Sequence, residues 1–129
     1  MRLLLDTHIL MWAFTRSVSL SRKGWDLLEG DNELFVSAVS IWEIAIKHAR
    51  RRSPADMPIS GRQALANVEA AEFELISIRP EHAASVDGLP MHHNDPFDRL
   101  LVAQARSESM HLLTHDRALA AYGDFILVV

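Results

Sequence analysis

The feature that most constrains this chain is a recurrence of very short, almost wholly apolar runs separated by longer amphipathic stretches. Leu3 to Leu5, Leu34 to Val36, Leu75 to Ile78, Leu112 and Leu113, and Phe125 to Val129 carry almost no polar positions. A strand with one solvated face alternates apolar and polar residues, whereas a strand covered on both faces does not. The runs therefore predict an α/β fold in three layers: a central, mostly parallel sheet of four to five short strands flanked by helices. With 129 residues, the chain has the size of a single domain spanning 1–129, large enough to bury a core without disulfides.

The stretches between the runs read as helices. Thr7 to Phe14 is the first, with Thr7 or Asp6 as its cap. Ser19 or Ser21 caps a second that runs to about Glu29 and stops at Gly30. Ala38 to Arg50 has the strongest periodicity, with Ala38, Ile41, Trp42, Ala45, Ile46 and Ala49 forming one apolar stripe. Ser37 caps that helix, and Glu43 lies off its stripe. Arg51 to Ser60, with Pro54 and Pro58, reads as loop, and Ser60 caps a helix through about Phe73. Pro80 opens a short helix ending near Gly88. Leu89 to Asn94 is loop, Asp95-Pro96 opens a helix through about Ser107, and Arg117 to Tyr122 forms a last short one.

Composition narrows the chemistry. The absence of cysteine excludes disulfides, thiolate metal sites and a cysteine nucleophile. A net charge of −4 excludes a generally basic nucleic-acid coat but leaves room for local basic patches. No apolar run reaches transmembrane length, and Asp6 interrupts the only early apolar stretch, so a cytoplasmic protein without a signal peptide is expected.

In open α/β sheets, ligands bind beyond the carboxyl ends of the strands. Asp6 follows the first run, Glu43 lies in the helix after the second, Thr114 and Asp116 follow the fourth, and Asp95 and Asp98 start a helix. Acidic side chains thus recur at one predicted sheet edge. Carboxylates gathered there remain ionised together only around a shared cation, and all-oxygen ligands favour Mg²⁺ or Mn²⁺. Such a site activates water and neutralises a phosphodiester under attack. Each residue also has a purely structural use: Asp6, Asp95 and Asp116 as helix caps, Asp98 in a positive first helical turn, and Ser40 with Glu43 as a capping box.

Four stretches together resemble a PIN domain of the VapC toxin type: "LLLDTHILMWA" at 3–13, "VSAVSIWEIAIK" at 36–47, "HHNDPFDRLLVAQA" at 92–105 and "LLTHD" at 112–116. The resemblance implies a metal-dependent endoribonuclease that serves as the toxin of a toxin–antitoxin pair. It implies Asp6, Glu43, Asp98 and Asp116 as the catalytic carboxylates. Asp6 and Asp98 would hold the principal Mg²⁺ or Mn²⁺, with Asp116 and Glu43 completing the site. Asp95 would act behind that shell or as a helix cap. Thr7 and Thr114 would be polar neighbours of the metal, and RNA cleavage by metal-activated water would form no covalent intermediate. The implied partners are RNA, a VapB-type antitoxin and a second copy in a homodimer. Lys47, Arg50, Arg51, Arg52 and Arg62 are candidate RNA contacts, with Arg16, Arg22 and Lys23 nearer the N-terminus. Trp12, Trp25 and Trp42 read as core or interface residues.

Three other readings compete. A haloacid-dehalogenase-like phosphatase places a second Asp two residues after the first, where this chain has His8. A zinc site would draw on His92, His93, His111 and His115, but the last pair spans a predicted strand, where four-residue spacing does not converge. His92 and His93 are instead expected in a loop at the rim of the site. A non-catalytic binding module would use the acidic edge to dock a basic partner.

Overall fold

The computed structural model describes residues 1–129. Its five strands are β1 (Arg2–Leu5), β2 (Glu33–Ser37), β3 (Glu74–Ile76), β4 (His111–Thr114) and β5 (Ile126–Val128). They lie in the order β3-β2-β1-β4-β5, and every pairing is parallel. In register, Leu4 of β1 stands opposite Phe35 on one side and Leu112 on the other. The helices are α1 (Thr7–Thr15), α2 (Arg22–Glu29), α3 (Ala38–Ala49), α4 (Gly61–Ala70), α5 (Pro80–Ala84) and α6 (Pro96–Ser107). Single 3₁₀ segments cover Ser85–Gly88 and Arg117–Tyr122.

Strand pleating divides the core in two. Leu3, Leu5, Val36 and Leu113 point into one layer with Ile9 and Leu10 of α1, Ile44 of α3, and Ala64 and Val68 of α4. Leu4, Phe35 and Leu112 point into the other, against Leu101, Val102 and Ala105 of α6 and Leu119. Alternate residues of β1, β2 and β4 thus enter opposite layers, which is why the runs at 3–5, 34–36 and 112–113 contain no polar position. Each fully buried leucine contributes about 1.5–3 kcal/mol by leaving water.

Local signals set most helix ends. Ser21 caps α2, Ser37 caps α3, and Ser60 forms a capping box with Gln63 at α4. Asp95 accepts from the Phe97 and Asp98 amides, and Pro96 takes the first helical position, so α6 has its predicted limits. At α1 the cap is Asp6, which accepts from the Ile9 amide; Thr7 is already inside the helix.

Two expectations need correction. The third strand is Glu74–Ile76 rather than 75–78, because its register follows β2: Val36 pairs with Leu75 and Ser37 with Ile76. The face of α3 also differs. Its buried residues are Val39, Ser40, Glu43 and Ile44, while Trp42 of the predicted stripe is 58% exposed. α3 is apolar on more than one side, and the carboxylate, not the stripe, faces inward. α4 lies against the other side so closely that a Cβ at Gly61 would come within 2.8 Å of the Ala45 Cβ.

No helix is long and apolar enough to cross a membrane.

Candidate metal centre

Strand order reverses between β1 and β4, which leaves a crevice at their carboxyl ends. Asp6 is the first residue past β1, and Asp116 is the second past β4. α6 starts above the same edge with Asp98 as its third residue, and α3 brings Glu43 in from the side. Asp6 and Glu43 are buried, with side-chain neighbours that fix them. The Thr114 hydroxyl donates to Asp6 Oδ2 and the Ile9 amide to Oδ1. The Thr7 hydroxyl donates to Glu43 Oε1 at 2.6 Å and lies 3.1 Å from Ser40 Oγ. Lys47, one turn along α3, makes an ion pair with Glu43 Oε2.

Asp98 and Asp116 form the more open half of the site. His93 Nε2 lies 2.8 Å from Asp116 Oδ2 and 3.7 Å from Asp98 Oδ2. Asp116 Oδ1 accepts from the Ala118 amide, so Asp116 also caps the segment after β4. The His93 Nδ1 accepts the Asp95 backbone N–H, which puts the neutral ring's proton on Nε2. His93 is therefore a donor to the two carboxylates, not a free nitrogen ligand. His82 pairs with Glu108 and His92 packs on Tyr122, while His8 and His115 stack beside Trp12, near enough to Asp6 for their charge to act on it. Of His92, His93, His111 and His115, only His93 joins a group of atoms close enough to share an ion, so the histidines do not converge as the zinc reading requires.

The charges show what the crevice lacks. Burial, then the charges of Asp95, Asp6 and Glu43, push the Asp98 carboxyl up to about 7, with His93 acting in the opposite direction. Burial also raises Asp6, against the hydrogen bonds from Thr114 and Ile9. Burial works in the same sense on Asp116, but the Ala118 amide and His93 outweigh it and hold Asp116 low. Four carboxylates thus converge with too little positive charge between them. Carboxylate oxygens of Asp98 and Asp116 lie within 4.8 Å of each other, close to the ~4.2 Å between opposite ligands of one Mg²⁺. The donor set fits a hard divalent cation.

His93 reaches the crevice because its loop is tied down. Arg99 of α6 is 8% exposed, and its guanidinium donates to the carbonyls of Val86, Leu89, Pro90 and His93 and to the Tyr122 hydroxyl. Other predicted contacts fall differently. The Thr7 and Thr114 hydroxyls are buried and turned to Glu43 and Asp6. Asp95 is the α6 cap, and its charge acts on Asp98. Arg50 is exposed at the end of α3, about 10 Å along the axis from Glu43, and takes no part in these bonds. His93, Ser40 and Arg99 were not singled out as members of this network. Their only sequence signal is proximity to its carboxylates: Ser40 three residues before Glu43, and Arg99 and His93 flanking "NDPFD".

A family model for the PIN domain matches residues 3–124, which takes in all four carboxylates. The chain belongs to the PIN-domain family. This PIN domain is 32% identical over 121 residues to Ribonuclease VapC22 of Mycobacterium tuberculosis, covering 92% of this chain and 90% of that protein. Its fold is that of VapBC2 from Rickettsia felis, solved bound to a promoter DNA fragment, with a TM-score of 0.70 at 15% identity over 100% of this chain and 98% of that one. A toxin–antitoxin complex from Klebsiella pneumoniae contains a similar chain, with a TM-score of 0.65 at 19% identity over 97% of this chain and 95% of that one.

Proposed function

We propose that this PIN domain, residues 1–129 as one unit, is a metal-dependent endoribonuclease and the toxin of a toxin–antitoxin pair. The observation that carries the reading is the convergence of Asp6, Glu43, Asp98 and Asp116 at the β1/β4 crevice. They meet in a chain that is 32% identical to a VapC ribonuclease. Asp6, Asp98 and Asp116 are the ligands of a Mg²⁺ or Mn²⁺ ion, and Glu43 completes the negative shell. When bound, the cation supplies a lowered pKa for water and neutralises charge on the phosphate. The chain's own residues do the positioning. Thr114 and Thr7 fix the rotamers of Asp6 and Glu43, and His93 orients Asp116. Lys47 and Arg50 lie on the side from which RNA approaches. No side chain acts as a covalent nucleophile.

The structural resemblance to the VapBC complexes supports a VapB-type antitoxin as partner. An apolar groove between α3 and α4, with Trp42 and Leu65 exposed, offers that antitoxin a surface. Homodimer formation and residence in the cytoplasm complete the proposal.

The test is cleavage of total, transfer and ribosomal RNA by purified, antitoxin-free protein with Mg²⁺, Mn²⁺ or EDTA, beside Asp6→Asn and Asp98→Asn. Discrete fragments that need metal and both aspartates are expected. Full metal-dependent activity in either folded variant would sink the site assignment. A haloacid-dehalogenase-like phosphatase gains nothing here, because the residue two past Asp6 is an exposed histidine.

A further inference from the structure

Three aromatic rings form a surface cluster beside the carboxylates that the proposed chemistry leaves unused. His115 packs against Trp12 with ring centroids 4.6 Å apart and against His8 at 4.9 Å. Both histidines are near enough to Asp6 for their charge to act on it. His8 and Trp12 line a groove of about 340 Å³ whose opposite wall carries Lys47, Met57 and Pro58. Lys47 belongs to both places, since its ammonium pairs with buried Glu43 while 43% of its side chain remains exposed. Asp56 also borders the groove, but its carboxylate accepts the Arg52 and Ser53 amides of its own turn. The groove thus sets tilted aromatic rings and an apolar wall beside the partly exposed Lys47 ammonium, with the Asp56 carboxylate at its rim held by its own backbone.

That combination is how proteins grip unpaired nucleotides: a base stacks on an aromatic face while a cation takes the phosphate. We propose that this groove is a nucleobase subsite, in which an unpaired base flanking the scissile phosphodiester stacks on Trp12 and its phosphate meets Lys47. The proposal rests on the ribonuclease reading and specifies how that site selects its substrate. Trp12, partly buried against the core, is then a specificity residue as well. The subsite favours single-stranded over duplex RNA, because a paired base must first be unpaired and unstacked before it can enter.

The test separates binding from cleavage. In the Asp98→Asn background, labelled single-stranded RNA is titrated with Mg²⁺ and followed by anisotropy. Trp12→Ala is expected to weaken binding about fivefold or more, the loss of one stacked base, and Trp12→Phe to retain most of the affinity. With Trp25 and Trp42 changed to Phe, emission from Trp12 is expected to be quenched by RNA at the same midpoint as the anisotropy. A duplex of the same sequence is expected to leave that emission unchanged. RNA binding with unquenched Trp12 emission and no loss in Trp12→Ala would overturn the subsite and leave the ribonuclease reading intact. Loss of antitoxin binding alone in Trp12→Ala would assign the groove to protein and also overturn it. Failure of the folded protein to bind any RNA would remove the ribonuclease reading and the subsite together.

Discussion

Asp98→Asn should inactivate the protein yet make its metal-free form more stable. In the folded chain the Asp98 carboxyl is pushed up to about 7 by burial and by Asp95, Asp6 and Glu43, whereas in the unfolded chain it titrates near 3.8. The folded state therefore holds more protons between those values, and stability falls as pH rises through that window. Above pH 7 the penalty is fully in place; below the unfolded value it is absent. A displacement of this size corresponds to about 4 kcal/mol for a fully shielded group. Asp98 keeps 20% of its side chain in solvent. Screening there reduces the penalty to about 2 kcal/mol. Asp98 also occupies the third position of α6, where its charge favours the helix by about 0.3–1 kcal/mol. Asn removes both effects, and the net gain is about 1 kcal/mol at pH 8, or about 3–5 °C in Tm for a chain of this length. The assay is thermal unfolding in EDTA at pH 8 and pH 5. The gain should be smaller at pH 5, where folded Asp98 is neutral while the unfolded chain is still ionised, and should vanish only below the unfolded value of 3.8. Adding Mg²⁺ at pH 8 should reverse the order, since only the wild type has its full ligand set. A variant that melts below wild type at pH 8 in EDTA, or gains equally at both pH values, would refute the charge argument.

Other consequences of the same geometry are open to direct measurement. Because a ligand carboxylate must be ionised, Mg²⁺ affinity should fall about tenfold from pH 8 to pH 6, with proton release seen by calorimetry in buffers of different ionisation enthalpy. Affinity independent of pH would mean that Asp98 is not displaced. Arg99→Lys should cost about 2–4 kcal/mol in urea unfolding, since an ammonium cannot span five acceptors around one planar fork. A loss under 0.5 kcal/mol would show that the loop is held by other contacts. Removing His8, which belongs to the aromatic trio, should leave Mg²⁺ affinity within about twofold. A large loss would bring back a histidine ligand.

What could be read in the sequence depended on how local its cause is. Asp95 and Pro96 start α6 through bonds within three residues, so both ends of that helix were legible. The central strands were legible because burial on both faces leaves an unbroken apolar run, which the exposed edge strand β3 lacks, and the placement of the carboxylates because the end of a parallel sheet is a topological position. The face of α3 was not. Periodicity reports that a helix has apolar sides, but which side meets the sheet is a choice made by Thr7, Lys47 and α4 together. His93 was placed at the rim, yet its bond to Asp116 spans 23 residues and depends on a loop shape that no local motif encodes. Trp12, read as core or interface, does pack partly buried against the core, but its further neighbours were hidden for a related reason. An aromatic in an apolar stretch resembles core until its neighbours are known, and here they include two histidines.

The Arg99 fork has a consequence for how such sites diversify. Four of its five acceptors are main-chain carbonyls, from Val86, Leu89, Pro90 and His93. Every amino acid offers that oxygen, so beyond the Leu89 anchor in the core the fork holds the loop's path whatever its exposed side chains are. Asp87, Met91 and His92 can therefore be exchanged while His93 stays within reach of Asp116. A lineage under pressure to change its target can rewrite the rim of the crevice one residue at a time, with the scaffold beneath it unaltered.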